Sequence, residues 1–383
     1  MADGSRIRVS LVSENTYGVT PNTPAMLVLP VTGAALADRL GYVQSNVINP
    51  DRNVDDLVRL SKSAGGTIPL ELRFSPAAQG LDVALTGLLC STWTAATTQV
   101  TGVTSSSGVL SAASIETGIE SGDIVRVLTS ADVLVGYYRV NTVGTGSITL
   151  YDTSVTGGTG LKVLRGRRMK NGTTSPSFSI EVAHLDLQKA IVYTGCVINT
   201  MDLNLAVGQL ATITFGIEAQ SSVKYENNTG STDQFITGST FTAATTHPTL
   251  DPIGVQEIRV GGNDYAAQSL TLNLTNNARP REQIGALGPV SMARGFFGAT
   301  GSATAYLENW TDHTAFAGNT ATDLYFAALD ANSRGYSLAL PQVKFSDVTS
   351  PVQGNNTDVF KNVSVTAYKD PTEACTVRLQ MWA

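Results

Sequence analysis

The stretch GQLATITFGIEAQ, residues 208–220, decides how the rest of the chain is read. Strand side chains alternate between two faces. Ala211, Ile213, Phe215, Ile217 and Ala219 then share one face, and Thr212, Thr214, Gly216, Glu218 and Gln220 the other. The first face requires a core. The second is small, polar and almost uncharged, and the question is what it looks at.

At 383 residues the chain exceeds one ordinary core; domains of about 100–200 residues predict two or three. Only 15% of its residues are charged, against roughly 25% in typical soluble domains. Gly, Thr, Ser, Ala and Val dominate, which favours β-structure. A sparsely charged exterior on a large chain also fits coverage by neighbouring subunits, because interface cores are depleted in charge. The net charge of −6 argues against a protein that wraps DNA, which needs a basic stripe, but permits a duct through which DNA slides.

Chemistry is hard to place. Cys90, Cys196 and Cys375 lack ligand or disulfide spacing, and read as small buried residues in a reducing compartment. His184, His247 and His313 stand far apart, with no nucleophile elbow and no Cys/His cluster. No metal, cofactor or catalytic residue is expected. A polysaccharide hydrolase would need paired carboxylates, for which Glu71, Glu181 and Glu218 are the residues to scan. The glycine clusters at 157–160 and 298–301 lack the lysine of a phosphate loop and read as hairpin turns. RGRRMKNG, residues 165–172, is the one basic cluster; without interleaved aromatics it reads as a solvated segment. The start of the chain has no signal-like apolar run, and no later run reaches the roughly 18 residues of a membrane helix, so cytosolic synthesis is expected.

The order of elements predicts five regions. Residues 1–25, with SENTYGVTPNTP, form an extended N-terminal arm. Residues 26–93 together with 169–225 form a first domain. It contains TIPLELRF as a strand, GLDVALTGLL as an amphipathic helix, and Asp202 and Asn204 on the non-core face of a neighbouring strand. Short strands with Ser/Gly turns make 94–168 an inserted small barrel or sandwich. Residues 226–254 are a polar linker, and 255–383 a second domain whose order of strands and helix matches the first, an internal duplication without sequence identity. PDRNVDDLVR, with Asp51, Arg52, Asp55, Asp56 and Arg59, reads as a loop that is either solvated or paired with a neighbouring subunit.

The ordered set ENTYGVTP, DRNVDDLVR, GGTIPLELRF, GDIVRV, YYRV, SPSFSIEVAHL and GCVINTMDLNLAVGQLATITFGIEAQ resembles the tail tube (major tail) proteins of long non-contractile-tailed bacteriophages. The resemblance covers most of 14–220 and, more loosely, 250–383. It implies a mainly β fold with short helices, of the tail-tube sandwich or barrel type, duplicated in this chain and carrying an inserted β-domain. The family builds rings presenting six copies of this fold around a lumen. A duplicated chain would do so as a trimer with pseudo-sixfold symmetry, and an unduplicated one as a hexamer. The resemblance further implies stacking into a tube in the virion tail, assembled in the host bacterial cytoplasm. Its partners would be tape measure, tail terminator and tip proteins, with double-stranded DNA passing transiently and no membrane contact. On that reading Asp202, Asn204, Thr212, Thr214, Glu218 and Gln220 line the lumen, and Asp51, Arg52, Asp55, Asp56 and Arg59 mediate contacts between subunits or rings. The alternative reading is a β-sandwich virion decoration or carbohydrate-binding module.

Overall fold

The computed structural model describes residues 3–48, 50, 51, 53–153, 155, 158–226, 233–250, 254–261, 263–352 and 354–383. Among them the chain is mainly β, with two short α-helices, α1 (Gly80–Leu89) and α2 (Thr311–Ala317). Eight antiparallel strands lie side by side as a wall. Their order is Ala35–Gln44, Leu57–Glu71, Thr212–Ala219, Lys189–Ala206, Ala267–Thr275, Gly298–Tyr306, Phe360–Ala367 and Gly335–Thr349. The period-two pattern of the opening stretch is realised in it: Ile213, Phe215, Ile217 and Ala219 are buried, and the residues between them are not. Fully burying a side chain such as Ile213 or Phe215 contributes roughly 1.5–3 kcal/mol, and that fixes which face turns inward.

Lys189–Ala206 and Gly335–Thr349 each serve two sheets. Their C-terminal parts stand in the wall. Their N-terminal parts form an outer layer, the first with Phe178–His184 and Ser221–Glu226, the second with Thr322–Leu329 and Arg378–Trp382. One apolar core, in which Leu85, Leu88, Met201, Leu203, Phe326 and Leu338 take part, runs between the layers and through both halves of the chain. Helix α1 is buried within it. A Cβ at Gly87 would lie 2.5 Å from the Phe178 ring, so glycine there sets how closely the helix approaches the sheet.

The two halves repeat one pairing scheme down to its irregularities. In the first, the ladder slips between Ile198 and Thr200 opposite Ile217 and Gly216; in the second, between Phe345 and Asp347 opposite Val365 and Ser364. A second slip lies where Phe178 and Ile180 face Cys196 and Tyr193, and where Thr322 and Leu324 face Val343 and Leu340. Even the lone pairing of Val31 with Leu70 has a counterpart in Ala267 with Ala305. Bulges re-aim a strand and rarely coincide by chance.

Residues 100–164 form a closed six-stranded barrel. Although inserted in the first half, it sits on the second: Ile124 and Tyr137 of the barrel pack with Tyr325, Ala327, Leu329, Ala339 and Trp382.

Several sequence expectations fail. Within the expected arm, Ile7–Ser13 is a core strand paired with Phe178–His184, because Val9 and Leu11 alternate into the interior. The expected linker is woven into the first half: Thr240–Thr242 pairs in parallel with Ala25–Val28, and the buried Leu250 donates its backbone N–H to the Leu72 carbonyl and accepts from the Ala211 N–H. The cluster 298–301 opens the strand Gly298–Tyr306 instead of forming a turn, and a Cβ at Gly301 would approach Leu272 to 2.7 Å. RGRRMKNG is not a solvated segment, since Arg165 and Arg168 are buried beside Asp123. In the other glycine cluster Gly158, Thr159 and Gly160 likewise open a strand, Gly158–Leu164, and Gly157 lies outside the described residues.

Candidate functional site

The face of the wall turned away from the core is built from small polar side chains on neighbouring strands. Thr214 stands opposite Asp202, and Thr212 opposite Asn204. On the far side of the same strand Asp202 faces Asn273, and Asn204 faces Thr271. These side chains bond across strands: the Asn273 amide donates to Asp202 at 2.6 Å, the Thr271 and Ser302 hydroxyls lie 2.6 Å apart, and Thr304 donates to Asn362 at 3.0 Å. Asp202, Asn204, Asn273, Thr300, Ser302 and Ser364 line one shallow hollow, so the face is concave.

Its charges nearly cancel. Arg39 reaches Glu218 at 2.7 Å with both groups well exposed, a pair contributing at most about 1 kcal/mol. Lys344 and Asp347 lie near the opposite edge of the wall. The surface is wettable, and among the described residues it offers no cluster of cations to hold a polyanion.

Five of the six predicted face residues, Asp202, Asn204, Thr212, Thr214 and Glu218, are brought together on this face. Gln220 is not among them: it lies past the end of its strand, and its amide donates to the Pro289 carbonyl at 2.8 Å. The bend after Ala219 breaks the alternation that sequence reading extended by one residue.

Asp51, Asp55, Asp56 and Arg59 are exposed on a long hairpin formed by Ala35–Gln44 and Leu57–Glu71; Arg52 lies outside the described residues. What sequence reading missed there is the apolar content. Val47, Val54, Leu57 and Leu60 are more than half exposed, and Ile48 is 96% exposed. Sequence reading took PDRNVDDLVR as a loop, and nothing in it told that the apolar residues toward the tip of this hairpin meet no core of the chain. Ile284 and Phe296, in the loop that follows Ala267–Thr275, are exposed at the same end of the wall. Val207 and Val352 stand bare at the other end, in the turns between wall strands.

The histidines are dispersed. His247 packs on Phe74 with ring centres 5.2 Å apart, and His313 meets the Ser350 hydroxyl at 2.9 Å. Among the described residues no group of His, Cys, Asp and Glu could hold a metal ion, and no helix is long and apolar enough to cross a membrane. The buried ionic cluster around Asp123 instead fastens the barrel to the body. Arg168 and Arg378 bind Asp123 at 2.5 and 3.0 Å, and Arg139 joins Asp323 and Glu373. Burial pushes the Asp123 carboxyl up, and the three guanidiniums around it pull it back.

No curated protein matches the chain. The family model described as phage tail tube protein matches residues 4–367, nearly its whole length. With its mainly β body, its continuous wall and its polar concave face, this chain belongs to the phage tail tube protein family.

Proposed function

We propose that this protein is the ring subunit of a phage tail tube, that three chains close each ring, and that the concave polar face lines the bore through which genomic DNA leaves. The observation that carries this reading is the wall itself. One face is core and the other small, polar and nearly neutral; among the described residues Ala35–Gln44 has a ladder partner on one side only, and so has the wall part of Gly335–Thr349 from Lys344 onward. An uncovered edge is a template for further pairing, and closure with identical copies removes it. Each chain supplies the pairing scheme twice, so three chains give the six copies implied by the tube family. The lining supports passage of DNA: hydroxyls and amides keep the bore wet, and the absence of a basic stripe on this face removes the counterion-release term that makes phosphate binding strong. Head-to-tail stacking of rings is supported by the bare apolar residues at both ends of the wall, Ile48 and Ile284 at one and Val207 and Val352 at the other.

An axial projection of assembled tubes tests the ring. Three protruding barrels per ring are expected; six would replace the trimer by a hexamer, and persistent monomers at all concentrations would end the proposal. The bore is tested by Thr214→Lys with Asn273→Lys, which should leave tubes intact and slow DNA release from virions. Unchanged release would show that this face does not meet DNA.

A further inference from the structure

The two halves of the chain are joined in the wall by a strand pair, Lys189–Ala206 with Ala267–Thr275, in which Thr200 faces Thr275, Met201 faces Leu274 and Asp202 faces Asn273. In the repeated scheme the strand equivalent to Lys189–Ala206 is Gly335–Thr349, and the strand equivalent to Ala267–Thr275 is Ala35–Gln44. These are the two outermost strands of the wall. The joint inside the chain is therefore a template for a joint between chains.

The irregularities fix the correspondence residue by residue. Because the slip after Ile198 matches the slip after Phe345, Thr200 corresponds to Asp347, Met201 to Val348 and Asp202 to Thr349. Thr212–Ala219 and Phe360–Ala367 are equal in length and end on a buried alanine, so Glu218 corresponds to Thr366; their partners Gly65 and Thr300 then correspond, and with them the preceding Ala64 and Ala299. Following the ladders outward, Arg39 corresponds to Thr275, Asp38 to Leu274 and Ala37 to Asn273.

We infer that the ring seam copies the internal joint: the free edge of Gly335–Thr349 pairs antiparallel with the free edge of Ala35–Gln44 in a second copy of this chain, with Asp347 opposite Arg39 and Thr349 opposite Ala37. This rests on the ring reading above and adds its register. The correspondence was fixed by backbone pairing alone, yet it sets a carboxylate directly across from a guanidinium, the favourable arrangement for a cross-strand pair. A slip of one residue would place Arg39 against Val348 and turn each strand's polar face toward the core. The seam differs from its template in one respect. Asp38 stands where the internal joint has Leu274, so the outer side of the seam is less apolar, as suits an edge that is exposed in water before the ring closes.

The test uses the full chain carrying Ala37→Cys and Thr349→Cys; both positions are exposed, and the native cysteines are buried. Direct cross-strand partners lie about 4.5–5.5 Å apart and can form a disulfide, whereas diagonal ones at about 7–8 Å cannot. Mild oxidation of assembled tubes should yield covalent dimers and closed trimers on a non-reducing gel, and Ala37→Cys with Asp347→Cys should yield none. If rings form but only the second pair crosslinks, or neither does, the register is overturned while the ring stands. If the unaltered chain forms no rings, the ring reading itself falls and the seam with it. Should the cysteine variants fail to assemble, Asp347→Lys, checked for native circular dichroism, decides: assembly should drop at least tenfold, and undiminished assembly overturns the seam.

Discussion

At the scale of residues, the most consequential groups are buried charges, among them Arg165 and Arg168, which sequence reading left in a solvated segment. Asp123 is fully buried and accepts from Arg168, Arg378 and the Glu120 amide. Removing one partner of such a cluster strands the others without water, at a cost of about 3–5 kcal/mol. Asp123→Ala should lower unfolding free energy by that amount in urea denaturation, and a loss below about 1 kcal/mol would show that the cluster is dispensable. Glu120, at the rim, behaves differently. Burial pushes its carboxyl up, but the Lys170 hydrogen bond and the charges of Arg168, Lys170 and Arg378 outweigh this and hold it below the ordinary 4.5. Its stabilisation is therefore present above pH 4.5 and is lost as pH falls through the lowered folded value. The side chain is about half exposed, so the effect is at most about 1 kcal/mol. Melting curves from pH 6 to pH 3 should fall more steeply for the native chain than for Glu120→Gln; parallel curves would remove Glu120 from the account.

At the scale of elements, the long hairpin is the least self-sufficient part of the structure. Its root is tied to Thr212–Ala219, and Lys62 is bonded to the Leu287 carbonyl. Toward its tip, Leu57, Leu60, Val47 and Ile48 find no core. Ile48→Asp should leave the melting temperature of the unassembled chain within about 1 °C, since surface substitutions stay near ±0.5 kcal/mol, while electron microscopy shows short or absent tubes. Tubes of normal length would exclude the tip from stacking. The hairpin was legible in sequence only as far as TIPLELRF. The preceding PDRNVDDLVRLSKSAGG carries glycines and mixed charge that read as a loop, whereas its second part is strand, because Gly65 and Gly66 allow close backbone approach: a Cβ at Gly66 would lie 1.8 Å from the Ala35 carbonyl oxygen.

At the scale of the whole molecule, the barrel fastens the halves a second time, on the outside of the wall. The segment Arg167–Lys170, leaving the barrel, pairs with Arg378–Trp382 at the end of the chain. Trp382 is fully buried against Tyr137 at 5.0 Å between ring centres, and its indole donates to the Ser337 hydroxyl at 3.0 Å. Trp382→Ala should cost about 3–5 kcal/mol and expose the junctions near residues 94 and 168 to limited proteolysis. Resistance equal to the native chain would mean that the ionic cluster alone fixes the barrel.

The sequence by itself determined what is periodic and local: the alternation of GQLATITFGIEAQ, the helix GLDVALTGLL, the short-strand character of the insertion, and the shared order of the two halves. These follow from side-chain spacing within one element, and spacing is written in the chain. Only the tertiary structure decided what depends on partners distant in sequence. Arg165 and Arg168 became internal because Asp123, some forty residues earlier, lies beside them. Ile7–Ser13 became a core strand because Phe178–His184 was there to receive it. Which edges of the wall remain open likewise follows from long-range pairing, since backbone hydrogen-bonding groups are identical in every strand and carry no local mark of being left unpaired.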